Sequence, residues 1–269
     1  MRVYGVDFTC APRRAKSITV ASGQLKKNSL EIQEIELLET FAAFEAFLAR
    51  PGPWIGGFDF PFSLPLELVR DLGWPKAWPQ LVGHCAGMTR LELRAALDAY
   101  RNSRQPGSKY AHRATDLPAG SSSPMKLVNP PVALMFHEGA RRIAAAGAHV
   151  PALSNGDPSR VALEAYPGLL ARKQLGVRES YKSDTRSEHT SARKAARRRI
   201  IQGLKMGKPL DIRLDVPRRL EKLALDDGSG DTLDAVICAV QAAWGWQRRA
   251  TNYGLPADAP AGEGWIVTA

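Results

Sequence analysis

The chain has 269 residues, 44% of them hydrophobic and 24% charged, enough apolar material for one large α/β domain and too much for a disordered chain. Residues 172 to 222 hold 16 Lys and Arg against 6 Asp and Glu, so the whole net charge of +10 belongs to one segment, a concentration that suits either a polyanionic partner or a solvated helical face. Cys10, Cys85 and Cys238 lie far apart outside CxxC spacing and the histidines form no HExxH cluster, which argues against structural zinc and a disulfide framework. The absence of a basic and apolar leader or of any membrane-length apolar run argues for a cytoplasmic protein with no membrane partner.

In chain order, residues 2 to 9, 17 to 23 and 29 to 37 read as three short strands joined by turns at 11 to 14 and 23 to 29, an opening antiparallel meander. Thr40 precedes the apolar-periodic Phe41, Phe44, Phe47 and Leu48, with Pro51 just beyond, which predicts a helix over 41 to 50. The apolar run from Pro53 to Phe60 predicts a strand. A helical crossover onto a sheet places that strand parallel to the first, so Asp7 and Asp59 should occupy equivalent strand ends.

Helices are predicted near 65 to 72, 88 to 102 and 131 to 147, with a Trp/Pro-rich piece at 74 to 80 and a long polar loop from Asn102 to Ser123. Arg160 to Tyr166 reads as a strand, followed by a basic helical region to about 207 and a short helix near 216 to 224. Gly228-Ser229-Gly230 then precedes an Ala-rich helix from Asp231 to about Arg248, and Gly264 to Thr268 reads as a last strand. With no internal repeat, a single domain over 1 to 269 is expected, carrying a helical and loop insertion at 65 to 147 and a basic helical one at 167 to 225.

Asp7, Asp59, Glu164, Asp231 and Asp234 each interrupt an apolar context at a strand end or helix start. Carboxylates in such places repel one another when ionised and persist only if hydrogen bonded, paired with a base or neutralised by a cation. An acid cluster without Cys or His suits a hard divalent ion, and two such ions suit phosphodiester hydrolysis. Each acid also has a plainer role: an Asx turn for Asp7, helix capping for Asp59 and Asp231, an ion pair for Glu164. Asp234 lies deeper in its helix, between Leu233 and Ala235, and is the hardest to explain without function. Arg113 and Asp116 could clamp a phosphate or pair on the surface.

These residues fall within six short pieces in a fixed order: Gly5-Val6-Asp7, Gly57-Phe58-Asp59-Phe60-Pro61-Phe62, Arg113-Ala114-Thr115-Asp116, Glu164-Ala165-Tyr166-Pro167, Asp231-Thr232-Leu233-Asp234-Ala235 and Glu263-Gly264-Trp265-Ile266. In them the chain resembles the domain of unknown function 429 family, described as predicted nucleases of the ribonuclease H-like superfamily. The resemblance implies a five-stranded mixed sheet flanked by helices, with acids from the first strand, the fourth strand and the last helix meeting at one end.

The expectation is therefore a ribonuclease H-like α/β protein that hydrolyses nucleic acid with two Mg²⁺ or Mn²⁺ ions. Asp7 would bridge them, Asp59, Glu164 and Asp234 complete the shells and Asp231 assist, while Arg193, Arg197, Arg198 and Arg199, with Arg113 and Asp116, contact substrate. A non-catalytic nucleic-acid-binding module and an actin-like ATPase or kinase are the alternatives. The latter is weakened because those proteins need two such domains.

Overall fold

The computed structural model describes residues 1–269. The first three strands, β1 (Arg2–Asp7), β2 (Ile18–Lys26) and β3 (Ser29–Leu38), pair antiparallel in sequence order. Helix α1 (Phe41–Leu48) starts where Thr40 Oγ1 accepts from the Ala43 amide at 3.1 Å. It returns the chain to β4 (Trp54–Asp59), which runs parallel to β1 with Asp7 and Asp59 in register.

Between β4 and the next strand of the central sheet lie α2 (Leu66–Asp71), α3 (Trp78–Ala86), α4 (Arg90–Ser103), α5 (Asp116–Ala119), α6 (Val132–Ala146) and the short β5 (Ala148–His149). Then β6 (Asp157–Glu164) pairs parallel to β4. A π-helical turn, Leu169–Gln174, precedes α7 (Ser191–Lys205), β7 (Arg213–Asp215), α8 (Arg218–Asp226) and the long α9 (Asp231–Gln247).

The sheet has seven strands in the order β5-β6-β4-β1-β2-β3-β7, not the expected five. The two additions are edge strands of 2 and 3 residues, too short for alternation to mark them. The last strand expected at Gly264 to Thr268 is a single bridge between Ile266 and Glu164. Residues 74 to 80, expected as a linking piece, run into α3, with Trp78 buried and proline in the first turn, where its missing N–H costs nothing. Within the long loop, α5 forms one short turn.

Both faces of the sheet are covered. Alternate residues of the central strands face opposite sides, so Tyr4, Val6 and Phe58 join an aromatic-rich core beneath α1, α2, α3, α4 and α6, while Val3, Ile55 and Leu163 join a second core with α7, α8 and α9. No helix is long and apolar enough to cross a membrane.

Candidate metal centre

The pattern Gly-x-Asp occurs at the end of two neighbouring parallel strands, Gly5-Val6-Asp7 in β1 and Gly57-Phe58-Asp59 in β4. Period-two alternation puts each glycine on the same face as its acid, and α9 lies across that face. A Cβ on Gly5 would stand 2.0 Å from the Ala235 carbonyl oxygen, and one on Gly57 would stand 2.4 Å from that of Cys238. Only glycine allows the helix backbone this close, and the closeness brings Asp234 of the first helical turn to the strand ends. One carboxylate oxygen from each of Asp7, Asp59 and Asp234 lies within 4.8 Å of the others.

The start of α9 is capped from outside the cluster. Asp227 accepts from the amides of Ser229 at 3.1 Å, Gly230 at 3.3 Å and Thr232 at 2.8 Å. Burial works against its ionisation, yet these hydrogen bonds keep the Asp227 carboxyl below the usual carboxylate range. Asp231 is thereby released from the capping role and instead accepts from Lys16 Nζ at 2.9 and 3.0 Å through its two oxygens. Lys16 also reaches Asp184 at 3.0 Å.

Asp234 is fully buried and accepts from the Tyr181 hydroxyl at 2.6 Å and from Lys182 Nζ. Arg193 and Arg197 hold the Tyr181-Lys182 segment in place. Arg193 donates to the Lys182 carbonyl and, at 2.9 Å, to Ser180 Oγ, while Arg197 donates to the Tyr181 carbonyl at 2.6 Å and that of Leu225 at 3.0 Å.

Burial raises the Asp7 carboxyl well above its usual range, with Asp231 and Asp234 adding repulsion. Asp59 is pushed up to about 7 by burial and by Asp234 and Glu164, against the opposing pull of Lys182. Burial likewise raises Asp234, although Lys182 and Tyr181 favour its charged form. For Lys182, burial alone would favour the neutral amine, but Asp234, Tyr181, Asp7 and Asp59 drive its pKa upward.

Glu164 stands beside this group without a free oxygen. Arg113 binds it in bidentate fashion at 2.6 and 2.7 Å, and the Phe62 amide donates to it at 3.0 Å. Burial raises Glu164 despite the Arg113 pair. Arg113 also binds Asp116 at 2.9 Å, and all three side chains are buried, so the expected surface pair is an internal Asp116-Arg113-Glu164 bridge. Glu263 secures it by accepting from the amides of Leu66 and Ala114, both at 2.8 Å. Arg197, expected to contact substrate, is likewise buried, with its guanidinium on the Leu225 and Tyr181 carbonyls. Arg198 is exposed, and exposed Arg199 pairs with Glu179 at 2.8 Å.

Of the five acids singled out in the sequence, three therefore converge, Asp234 among them already bonded to Tyr181 and Lys182, while Glu164 and Asp231 stand outside the group, paired with Arg113 and Lys16. Three oxygen donors without nitrogen or sulfur, whose joint ionisation is opposed by burial, are a donor set of the kind that suits a hard cation such as Mg²⁺ or Mn²⁺. Lys16, Tyr181 and Lys182 went unnoticed in the sequence because they fall in irregular segments between helices and strands, without periodicity. The signal available was the need of clustered buried acids for a counter-charge.

A cavity of about 480 Å³ opens beside Asp59 and Glu164 and is also lined by Arg172, Arg178, Tyr181 and Lys182. Fold and site together define a mixed-sheet α/β protein whose buried acidic group is able to bind a metal ion. The chain belongs to the family described as protein of unknown function (DUF429), whose model matches residues 5–260. No curated protein and no solved structure matches it.

Proposed function

We propose that the protein is a ribonuclease H-like, divalent-metal-dependent hydrolase of phosphodiester bonds in nucleic acid, acting through Asp7, Asp59 and Asp234. The observation that carries this reading is the convergence of those three carboxylates, from two parallel strand ends and a helix start, beside an open cavity. The five longer strands, β3-β2-β1-β4-β6, form a mixed sheet flanked by helices, antiparallel for the first three, and this supports the superfamily reading because a five-stranded mixed sheet is what the sequence resemblance implies.

The three carboxylates would hold one Mg²⁺ or Mn²⁺. Such an ion supplies positive charge that activates water and offsets charge on a phosphoryl oxygen. The chain's own residues do the remainder. Arg113 favours the charged form of Glu164 and occupies both its oxygens, so Glu164 supports the β6 end without competing for the cation. Tyr181 and Lys182 orient Asp234 and balance its charge. Lys182 also lines the cavity, where its ammonium is suited to a substrate phosphate oxygen once a cation has replaced it at Asp234.

A second reading, in which the acids serve only the fold, is favoured by Lys16 and Lys182, which already neutralise Asp231 and Asp234. Manganese titration followed by calorimetry separates the two. The hydrolase reading expects Mn²⁺ binding and Mn²⁺-dependent cleavage of oligonucleotides, both abolished in a folded Asp7→Asn variant. Cleavage that persists in Asp7→Asn, or wild-type protein that binds no divalent ion, overturns it.

A further inference from the structure

The cavity beside Asp59 is built by segments distant in the chain. The stretch after α5 contributes Lys126, the approach to α6 contributes Pro130 and its first turn Val132 and Met135, and the segment after β6 contributes Arg172, Arg178 and Lys182. Its charges are unevenly satisfied. Arg113 and Lys182 are committed to carboxylates, whereas the side chains of Lys126 and Arg178 make no ion pair or hydrogen bond, and Arg172 has only the neutral Tyr166 hydroxyl. Arg172 and Arg178 are exposed, Asp59 is half-buried and Glu164 buried, and the exposed acid of the lining, Glu179, is paired with Arg199, so the uncommitted charge toward solvent is positive and the unpaired acid, Asp59, lies inward.

Cations at an entrance, acids within and an apolar patch in one cavity match a ligand that is anionic at one end and flat and apolar at the other. The volume of about 480 Å³ falls in the range of small-molecule clefts and is far below what a duplex spans. Nor does α7 offer a long track for a phosphate backbone. On α7, Arg193, Lys194, Arg199 and Lys205 are paired with Glu188, Asp226, Glu179 and Glu221, and Arg197 is buried, which leaves Arg198.

We propose that this cavity admits one nucleotide at a time, its phosphate on Lys126, Arg172 and Arg178 beside Asp59 and its base against Pro130, Val132 and Met135. This deepens the hydrolase reading and rests on it for the chemistry: the ligand is a free nucleotide or the end nucleotide of a single strand, of which only the second carries a phosphodiester bond to hydrolyse. The two sources share one recognition chemistry, an exposed phosphate joined to an unstacked base.

The test uses the full chain and adenosine monophosphate as probe, with adenosine and ribose 5-phosphate as its two halves. Calorimetry with Mn²⁺ present should show the nucleotide binding more tightly than either half, and Lys126→Ala with Arg178→Ala should weaken it about tenfold or more, the cost of losing charge-assisted hydrogen bonds. A linear single strand should compete for the cavity and a circular one should not; if the linear strand also fails to compete, free nucleotides are the ligand. Absence of nucleotide binding, or equal competition by circular strands or duplex, overturns the proposal. Mn²⁺ binding measured on the same samples keeps the failures apart: Mn²⁺ binding without nucleotide binding sinks the cavity proposal alone, and nucleotide binding without Mn²⁺ binding sinks the hydrolase reading alone.

Discussion

At Asp59 burial and charge oppose each other most directly. Its carboxyl is raised to about 7, so between about pH 4 and that value the folded chain keeps a proton that the unfolded chain releases. Stability of the metal-free protein attributable to this group therefore falls as pH rises through that window and is level above it. Asp59→Asn removes the conflict. Its melting temperature should match wild type near pH 4 and exceed it by a margin that grows up to about pH 7, whereas a constant margin would contradict the shift. Adding Mn²⁺ should reverse the order at neutral pH, because only wild type keeps all three ligands. Lys182 makes the opposite test: it occupies Asp234 in place of a cation. Lys182→Met should lower stability without metal and tighten Mn²⁺ binding by about tenfold, equivalent to about 1.4 kcal/mol, read by calorimetry. Unchanged affinity would mean that lysine and metal do not compete.

Among the elements, the contact of α9 with β1 and β4 places the site. Gly5→Ala or Gly57→Ala would force a methyl into helix backbone at 2.0 or 2.4 Å. Either should cost at least the 1–3 kcal/mol typical of overpacking in denaturant titration and weaken Mn²⁺ binding, because Asp234 must retreat with the helix. Asp227→Ala should cost about 1 kcal/mol through the lost cap and shift the metal affinity less. The two Gly-x-Asp pieces were legible in the sequence, and with the strand-helix-strand order they place Asp7 opposite Asp59. The cap was not: Asp231, next to the glycines, looked like the capping residue, but Gly230 adopts a left-handed φ of 80° and turns the chain so that Asp227 reaches the helix amides. An ion pair was among the roles expected for Glu164, but its partner was not legible, because Arg113 lies 51 residues away and only tertiary packing joins them. Strands β5 and β7 escaped notice because 2 and 3 residues cannot display a period.

Over the whole molecule, the basic segment is less available than its composition suggests. Its +10 excess is spread over α7, α8 and their flanks, where most α7 cations face carboxylates of neighbouring elements and Arg197 ties α7 to the Tyr181 and Leu225 carbonyls. Much of that charge therefore holds the helices together and carries the Lys182 segment to Asp234. The consequence is measurable in the salt dependence of binding. A protein that neutralises several phosphates along a backbone loses affinity with a steep log-log slope, about 0.7 per phosphate for single strands. If the cavity cations Lys126, Arg172 and Arg178 provide the contacts, the slope for a short single strand should be near −2, and it should become shallower when Lys126 and Arg178 are replaced by Ala. Arg198→Ala with Arg199→Ala should leave slope and stability nearly unchanged, since both side chains are exposed, whereas Arg197→Ala should destabilise the fold by leaving two carbonyls without their donor. A slope of about −6 that collapses in the Arg198 and Arg199 variant would instead make α7 the nucleic-acid surface, with the cavity serving only the reacting nucleotide.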